Sequence, residues 1–206
     1  EDYLREQLEA ICNQSVPPSE IVLIQNENNF EIDKSLREKF DFKLIKSEIN
    51  TLYLRFILSY IFDFEYACFF DDDVIPGENW IKSCYEKSVK YNAIIGPSGR
   101  IANASGNPKW INVDPKQDIR LNFMVSCGES DVICDWVCNS YFMKTEWIKY
   151  FVNYQRYNLS HLNLEDMQLA FSVFSASGIR CVVPMQPKDD FSLHGHSKRQ
   201  FGHDDK

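Results

Sequence analysis

Three consecutive carboxylates, Asp71-Asp72-Asp73, follow directly on the most apolar short run of the chain, Tyr66 to Phe70. Neighbouring acids repel one another and suit a strand poorly. Ligands of open α/β sheets bind beyond the carboxyl ends of the strands. Carboxylates at that place suit a hard divalent cation, Mn²⁺ or Mg²⁺. Extended backbone would point Asp71 and Asp73 to one side. The plainer reading is a solvated turn whose acids cap the next helix. A second acidic pair, Glu165-Asp166, opens a predicted helix, where it either does chemistry or favours the helix dipole. Arg55 sits on an apolar helix and either reaches a phosphate or snorkels to the surface. Arg100, after Gly96-Pro-Ser-Gly99, has the same two readings. Those glycines make a turn and not a phosphate loop, because the lysine and spacing of a Walker motif are absent.

These groups must be positioned by the elements around them. Helical spacing is expected over Tyr3 to Asn13, Asp33 to Phe40, Asn50 to Phe62, Glu78 to Tyr91, Thr145 to Asn153 and Leu164 to Ser177. Apolar runs predict strands at Ile21 to Gln25, Phe42 to Ile45, Tyr66 to Phe70, Ala93 to Ile95 and Ile179 to Val183. Two hairpins are expected between them, Arg100 to Ala104 with Lys109 to Val113, and Ile119 to Ser126 with Val132 to Cys138. Helix and strand alternate up to Ile95, which argues for an α/β fold with a mostly parallel central sheet flanked by helices. A smaller antiparallel hairpin region is expected in the second half.

Composition narrows the function. The chain has 206 residues, 44% hydrophobic and 14% aromatic, which excludes intrinsic disorder. No apolar run approaches the roughly 20 residues of a membrane span. With 30 acids against 22 bases the net charge is −8, so nucleic acid is not expected as a partner. Seven cysteines, an odd number, point to free thiols in a reducing, cytoplasmic setting. Cys134 and Cys138 lack the further ligands that a closed zinc site needs.

Phe69-Phe-Asp-Asp-Asp-Val-Ile-Pro-Gly77 resembles the DXD segment of GT-A fold (Rossmann-like), family-2-like glycosyltransferases. Other pieces agree in order. Tyr3 to Ser15 is similar to the first helix of such enzymes, Ile21 to Asn26 to the strand whose end approaches the nucleotide base, and Asn50 to Arg55 to the helix leading to the DXD strand. Leu164-Glu165-Asp166 resembles the late Glu-Asp motif. Length and style are similar to the small glycosyltransferase domains encoded by chlorella viruses, which implies a viral protein in the host cytoplasm. Members begin with a strand ahead of the first helix; nothing precedes Glu1 here, so that strand is either trimmed or missing from the sheet.

The resemblance implies one domain over residues 1–206. Residues 1–99 form its nucleotide- and metal-binding half; residues 100–206 form its acceptor-binding half and tail. The chain is compatible with being a fragment of a longer protein with further domains. It implies transfer from a UDP-sugar to a glycan or other hydroxyl acceptor, with Mn²⁺ or Mg²⁺ held by Asp73, Asp71 and a late histidine, His194 or His196. Donor and sugar contacts fall to Asp71, Asp72, Asn26, Arg55, Arg100, Asp135 and Trp136. Asp166 is the first choice as base and Glu165 the second. Other readings stay open: Trp136 as a core residue, the histidines as an ordinary polar tail, phosphoryl or nucleotidyl transfer, or a non-catalytic sugar- or cation-binding module.

Overall fold

The computed structural model describes residues 2–27, 31–101, 130–154, 165–187 and 190–194. The first apolar run folds as β1 (Val22–Asn26), after the amphipathic helix α1 (Asp2–Cys12). Helix α2 (Lys34–Lys39) follows and leads to β2 (Lys43–Ser47). Asp33 caps α2, its carboxylate accepting the Ser35 N–H at 2.8 Å, as its residue type foretells. β1 and β2 pair in parallel, with Leu23 opposite Leu44 and Ile24 opposite Ile45. Leu8, Leu36 and Phe40 close a small core beneath them.

Helix α3 (Leu54–Ile61) then feeds β3 (Tyr66–Phe70), and α4 (Trp80–Tyr91) feeds β4 (Ile94–Ile95). Short strands follow: β5 (Ser98–Arg100), β6 (Val132–Cys134), β7 (Trp136–Cys138) and β8 (Ser140–Lys144). A 3-10 turn at Thr145–Trp147 opens α5 (Ile148–Tyr154); α6 (Glu165–Ser177), β9 (Cys181–Val183) and α7 (Phe191–His194) complete the described order.

The main sheet has five strands in the order β3-β8-β4-β9-β6. It is mixed: β4 and β9 run parallel, while β3 with β8, β4 with β8, and β6 with β9 run antiparallel. This corrects the expected mostly parallel sheet, and the cause is local. The run at 132–138 reads as one strand but breaks at Asp135 into β6 and β7, which join different sheets; β7 pairs with β5. Asn139 then takes a left-handed conformation, φ 71°, and turns the chain into β8, a strand outside the expected set. β8 inserts between β3 and β4. The partner strands proposed for the two hairpins lie at 102–129, outside the described residues; Arg100, at the first hairpin's start, faces Trp136 in the β5–β7 ladder.

The core lies against this sheet. Phe56 of α3 has no exposed surface and meets Phe69, Tyr141 and Phe151 edge-on, at centroid separations of 5.0, 5.4 and 5.5 Å. Burying such a ring stabilises by about 1.5–3 kcal/mol, and each edge-on pair adds about 0.5–1.5. Trp80, Cys84, Ile95 and Phe142 form a second cluster. Among the described residues no helix is long and apolar enough to cross a membrane.

Candidate functional site

β3 delivers the acidic triplet. Its ladder with β8 continues one residue beyond the strand, the Asp71 N–H donating to Asn139 O at 3.2 Å. The chain then turns, the Val74 N–H returning to Asp71 O at 3.2 Å. Helix α1 holds this turn through its backbone. Gln7 Nε2 donates to Asp71 O at 2.7 Å and to Val74 O at 2.6 Å, and the Tyr3 hydroxyl donates to Asp73 O. Because the backbone turns here, Asp71 and Asp73 do not share the single face that extended chain would give them. Asp71 and Asp72 line a cavity of about 1480 Å³. Asp73 is 7% exposed and is not among the lining residues.

Arg55 does not snorkel to the surface; it lines the cavity. Its side chain is 15% exposed and bridges two acids. One terminal nitrogen pairs with Asp71; the other meets Glu165 Oε1 at 2.9 Å. The guanidinium lies over the rings of Phe56 and Tyr141, 5.1 and 5.0 Å from their centroids. Burial alone would lower its pKa; Asp71, with Tyr141 and Glu165, reverses that and holds it above its usual value. Burial in turn pushes the Asp71 and Glu165 carboxyls upward, against the pull of Arg55. A cation shared by several acids cannot fully offset the desolvation of each.

Glu165 and Asp166 part company at the head of α6. Glu165 is 7% exposed and held by Arg55. Asp166 lines the cavity and accepts two hydrogen bonds, from the Met167 N–H at 2.6 Å and from the Cys138 thiol at 3.3 Å. Burial raises that thiol well above its usual pKa, so it stays a neutral donor. Asn26, at the end of β1, also lines the cavity. Its Nδ2 donates to Thr51 O at 3.1 Å, while its Oδ1 is buried with no hydrogen-bond partner among the described residues.

Other predicted residues lie elsewhere. Trp136 is 8% exposed and packs in the core, tilted on Phe171 at 6.4 Å. Asp135 bonds through its N–H to Arg100 O at 2.8 Å, and Arg100 turns its guanidinium to Gly99 O at 3.0 Å. None of the three lines the cavity. His194 ends α7, whose backbone is fastened to the start of α4 by the Asn79 N–H to Ser192 O, 2.7 Å. His196 lies outside the described residues. Asn139, which the resemblance places with Asp135 and Trp136, does line the cavity with Cys138, while the sequence gives no role to Tyr141, Gln7 or Tyr3. Only the polar residues Gln7 and Tyr3 on an otherwise amphipathic helix carried a sequence signal, and a weak one.

No protein-family model matches the chain, and no curated protein matches it.

Among the described residues no three His, Cys, Asp or Glu are gathered in a metal-holding group. Mg²⁺ is commonly held by one or two carboxylates together with substrate phosphates. Asp71 and Asp72 are oxygen donors of that kind at the cavity wall. Among the described lining residues Arg55 is the cationic side chain; it pairs with Asp71 and Glu165, while Asp72 and Asp166 add further acid to the lining. An anionic ligand entering here needs an added positive charge.

Proposed function

We propose that the chain is a GT-A-type, divalent-metal-dependent glycosyltransferase that moves a sugar from a UDP-sugar to a hydroxyl of a glycan or similar acceptor. The observation that carries this reading is the meeting of the Asp71–Asp72 wall with Asp166 in one cavity at the carboxyl end of β3. The β1–β2 parallel pair with α1 and α2, beside a mixed sheet bearing the triplet, supports the same reading.

Asp166 is the group for the acceptor. Glu165 is occupied by Arg55, so Asp166, the half-buried carboxylate lining the cavity, takes the hydroxyl proton. The acceptor oxygen then bonds to the anomeric carbon, the bond from that carbon to the diphosphate oxygen breaks, and UDP leaves with its electron pair. Mn²⁺ or Mg²⁺, when bound, supplies Lewis-acid stabilisation of that leaving charge. Asp71, Asp72 and Asp73, with a histidine of the 194–196 segment, are the residues that would hold it. Asn26, whose Oδ1 has no hydrogen-bond partner among the described residues, would accept an N–H from the nucleotide base.

Calorimetric titration of UDP with and without Mn²⁺ tests the reading. Binding should strengthen with Mn²⁺ in the parent and lose that gain in Asp72→Asn or Asp73→Asn. Parallel titrations show which acid carries the metal. UDP binding that ignores Mn²⁺, or no release of UDP from any UDP-sugar in its presence, overturns it.

A further inference from the structure

Cys138 ends β7, and its half-buried thiol has no part in the steps derived above. It lines the cavity beside Asn139 and Asp166. Its Sγ donates to Asp166 Oδ2 at 3.3 Å, across 28 positions of sequence. The other oxygen of that carboxylate, Oδ1, accepts the Met167 N–H at 2.6 Å. The Met167 bond is internal to the first turn of α6. The thiol bond is the one that ties the carboxylate to the strands.

Cys138 is a fixed point to tie it to. Its backbone pairs with Ser98 of β5, and Ser98 Oγ donates to Cys138 O at 3.4 Å. The next residue, Asn139, accepts the Asp71 N–H on its carbonyl at 3.2 Å. The end of β7 is thus held between β5 and the backbone of the triplet. The head of α6 meets this frame through two polar links, Glu165 to Arg55 and Asp166 to Cys138.

The residue type suits the task. A thiol is a weak donor, and a carboxylate oxygen has more than one acceptor site. Donation to the charged form of a carboxylate lowers its proton affinity, more so for a stronger bond. A serine hydroxyl at 138 would hold Oδ2 harder and make it a poorer base; an alanine would not hold it at all. The thiol orients the oxygen at little cost in basicity and leaves it a lone pair. Burial, and after it the Asp166 charge, keep the proton on sulfur at neutral pH, so Cys138 donates and is not a nucleophile.

We infer that Cys138 is a positioning residue for Asp166: its thiol fixes the carboxylate against β7, with one oxygen presented to the acceptor hydroxyl in the cavity. This rests on the glycosyl-transfer reading, in which Asp166 is the base.

The test reads UDP release with Mn²⁺ from a panel of UDP-hexoses, UDP-N-acetylhexosamines and UDP-pentoses, with simple glycosides as acceptors. Cys138→Ala should lower kcat about tenfold, less than loss of the base itself, with the donor KM within about twofold of the parent. Cys138→Ser should restore most of kcat. In the Asp166→Asn background Cys138→Ala should cost less than about twofold more, because the thiol then has no base to place. A thiol that merely fills space would lower Tm and act equally in both backgrounds. Unchanged kcat in Cys138→Ala, or the same loss in both backgrounds, overturns the inference and leaves the reading standing. A parent that releases UDP from no donor overturns the reading and the inference with it.

A second measurement needs no activity. Iodoacetamide alkylates cysteine through its thiolate: the S–C bond forms, iodide leaves, and the thiol proton goes to solvent. Peptide mass mapping follows this at Cys138. Asp166→Asn should speed it several-fold, since the carboxylate no longer keeps the proton on sulfur. Equal rates in parent and variant overturn the inference whatever the transfer assay shows.

Discussion

Arg55 of α3 and Glu165 of α6 meet at 2.9 Å across 110 positions of sequence. Through its other nitrogen Arg55 also holds Asp71. One guanidinium therefore sets the distance between the acidic triplet and the head of α6. It also divides the Glu165-Asp166 pair into a structural acid and an open one.

Arg55→Ala removes that cation and leaves two buried carboxylates without it. Breaking a buried pair in this way costs about 3–5 kcal/mol. Both acids have folded-state pKa values raised by burial. A raised carboxyl favours the folded state below its unfolded pKa, and that contribution is lost as pH rises through the folded value. Without Arg55 the acids rise further, so the deficit should be largest at pH 7 and shrink toward pH 4. Urea unfolding of parent and variant at both pH values reads this. A deficit under about 1 kcal/mol at pH 7 would place the pair among weak, solvated ion pairs.

Asp166→Asn keeps the shape and one of the two accepted hydrogen bonds, but it cannot serve as a base. Loss of a general base slows a reaction by about 10²–10⁴-fold. Transfer from the UDP-sugar should fall in that range, while UDP affinity with Mn²⁺ stays within about twofold of the parent. Glu165→Gln should instead show its effect in thermal stability, since Glu165 serves Arg55. Equal transfer rates for Asp166→Asn and parent would remove Asp166 from the chemistry.

The residues that announce chemistry were legible because their types are costly where they stand. Three acids after Tyr66–Phe70 have no packing purpose, and an acidic pair at a helix start is visible from spacing alone. Strands β1, β3 and β9 and the helices around them follow from continuous apolar runs. What escaped was long-range. Nothing in a five-residue window says that Ser140–Lys144 pairs with both β3 and β4, or that Asn139 sits at positive φ. Arg55 offered two local readings, phosphate or solvent. Its bridge to Asp71 and Glu165 depends on partners that only the fold brings near. Trp136 shows the reverse: an aromatic beside an Asp looks like a sugar platform, but neighbours far along the chain bury it.

Gly77 is four residues past the triplet and has no room for a side chain. A Cβ there would lie 2.4 Å from Ser192 O and 2.6 Å from Phe191 O, both backbone atoms of α7. Gly77→Ala must therefore push α7 away from Asn79, whose N–H bonds Ser192 O. Overpacking of this kind costs about 1–3 kcal/mol. A lowered Tm is expected, with faster proteolytic cleavage near residues 190–194 than elsewhere. If Tm falls but cleavage there does not quicken, the strain is relieved within the 74–79 turn instead. Mn²⁺-dependent UDP binding in this variant then reports whether α7 matters to the triplet.

Asp131 fastens α4 to the far edge of the main sheet. Its carboxylate accepts from Lys87 Nζ at 2.8 Å, the Tyr91 hydroxyl at 2.6 Å and the Met185 N–H at 2.9 Å. Its side chain is 11% exposed. Burial raises its pKa, but Lys87, Tyr91 and Met185 outweigh that and bring it down from 3.8 to about 2. A depressed carboxyl stabilises the fold above its unfolded pKa and loses that contribution as pH falls through the folded value. The window is therefore pH 4 down to pH 2. Lys87 keeps part of its surface in water, 23% exposed, so the full linkage value is discounted to about 1–2 kcal/mol. Asp131→Asn should lower stability by that amount at pH 7 and at pH 5 alike. Below pH 4 the two proteins should converge, because the parent then loses what the variant never had. Urea titrations at pH 7, 5, 3 and 2 measure the gap. A gap that keeps its full size at pH 2 would trace the loss to the amide's poorer hydrogen bonding instead of to charge.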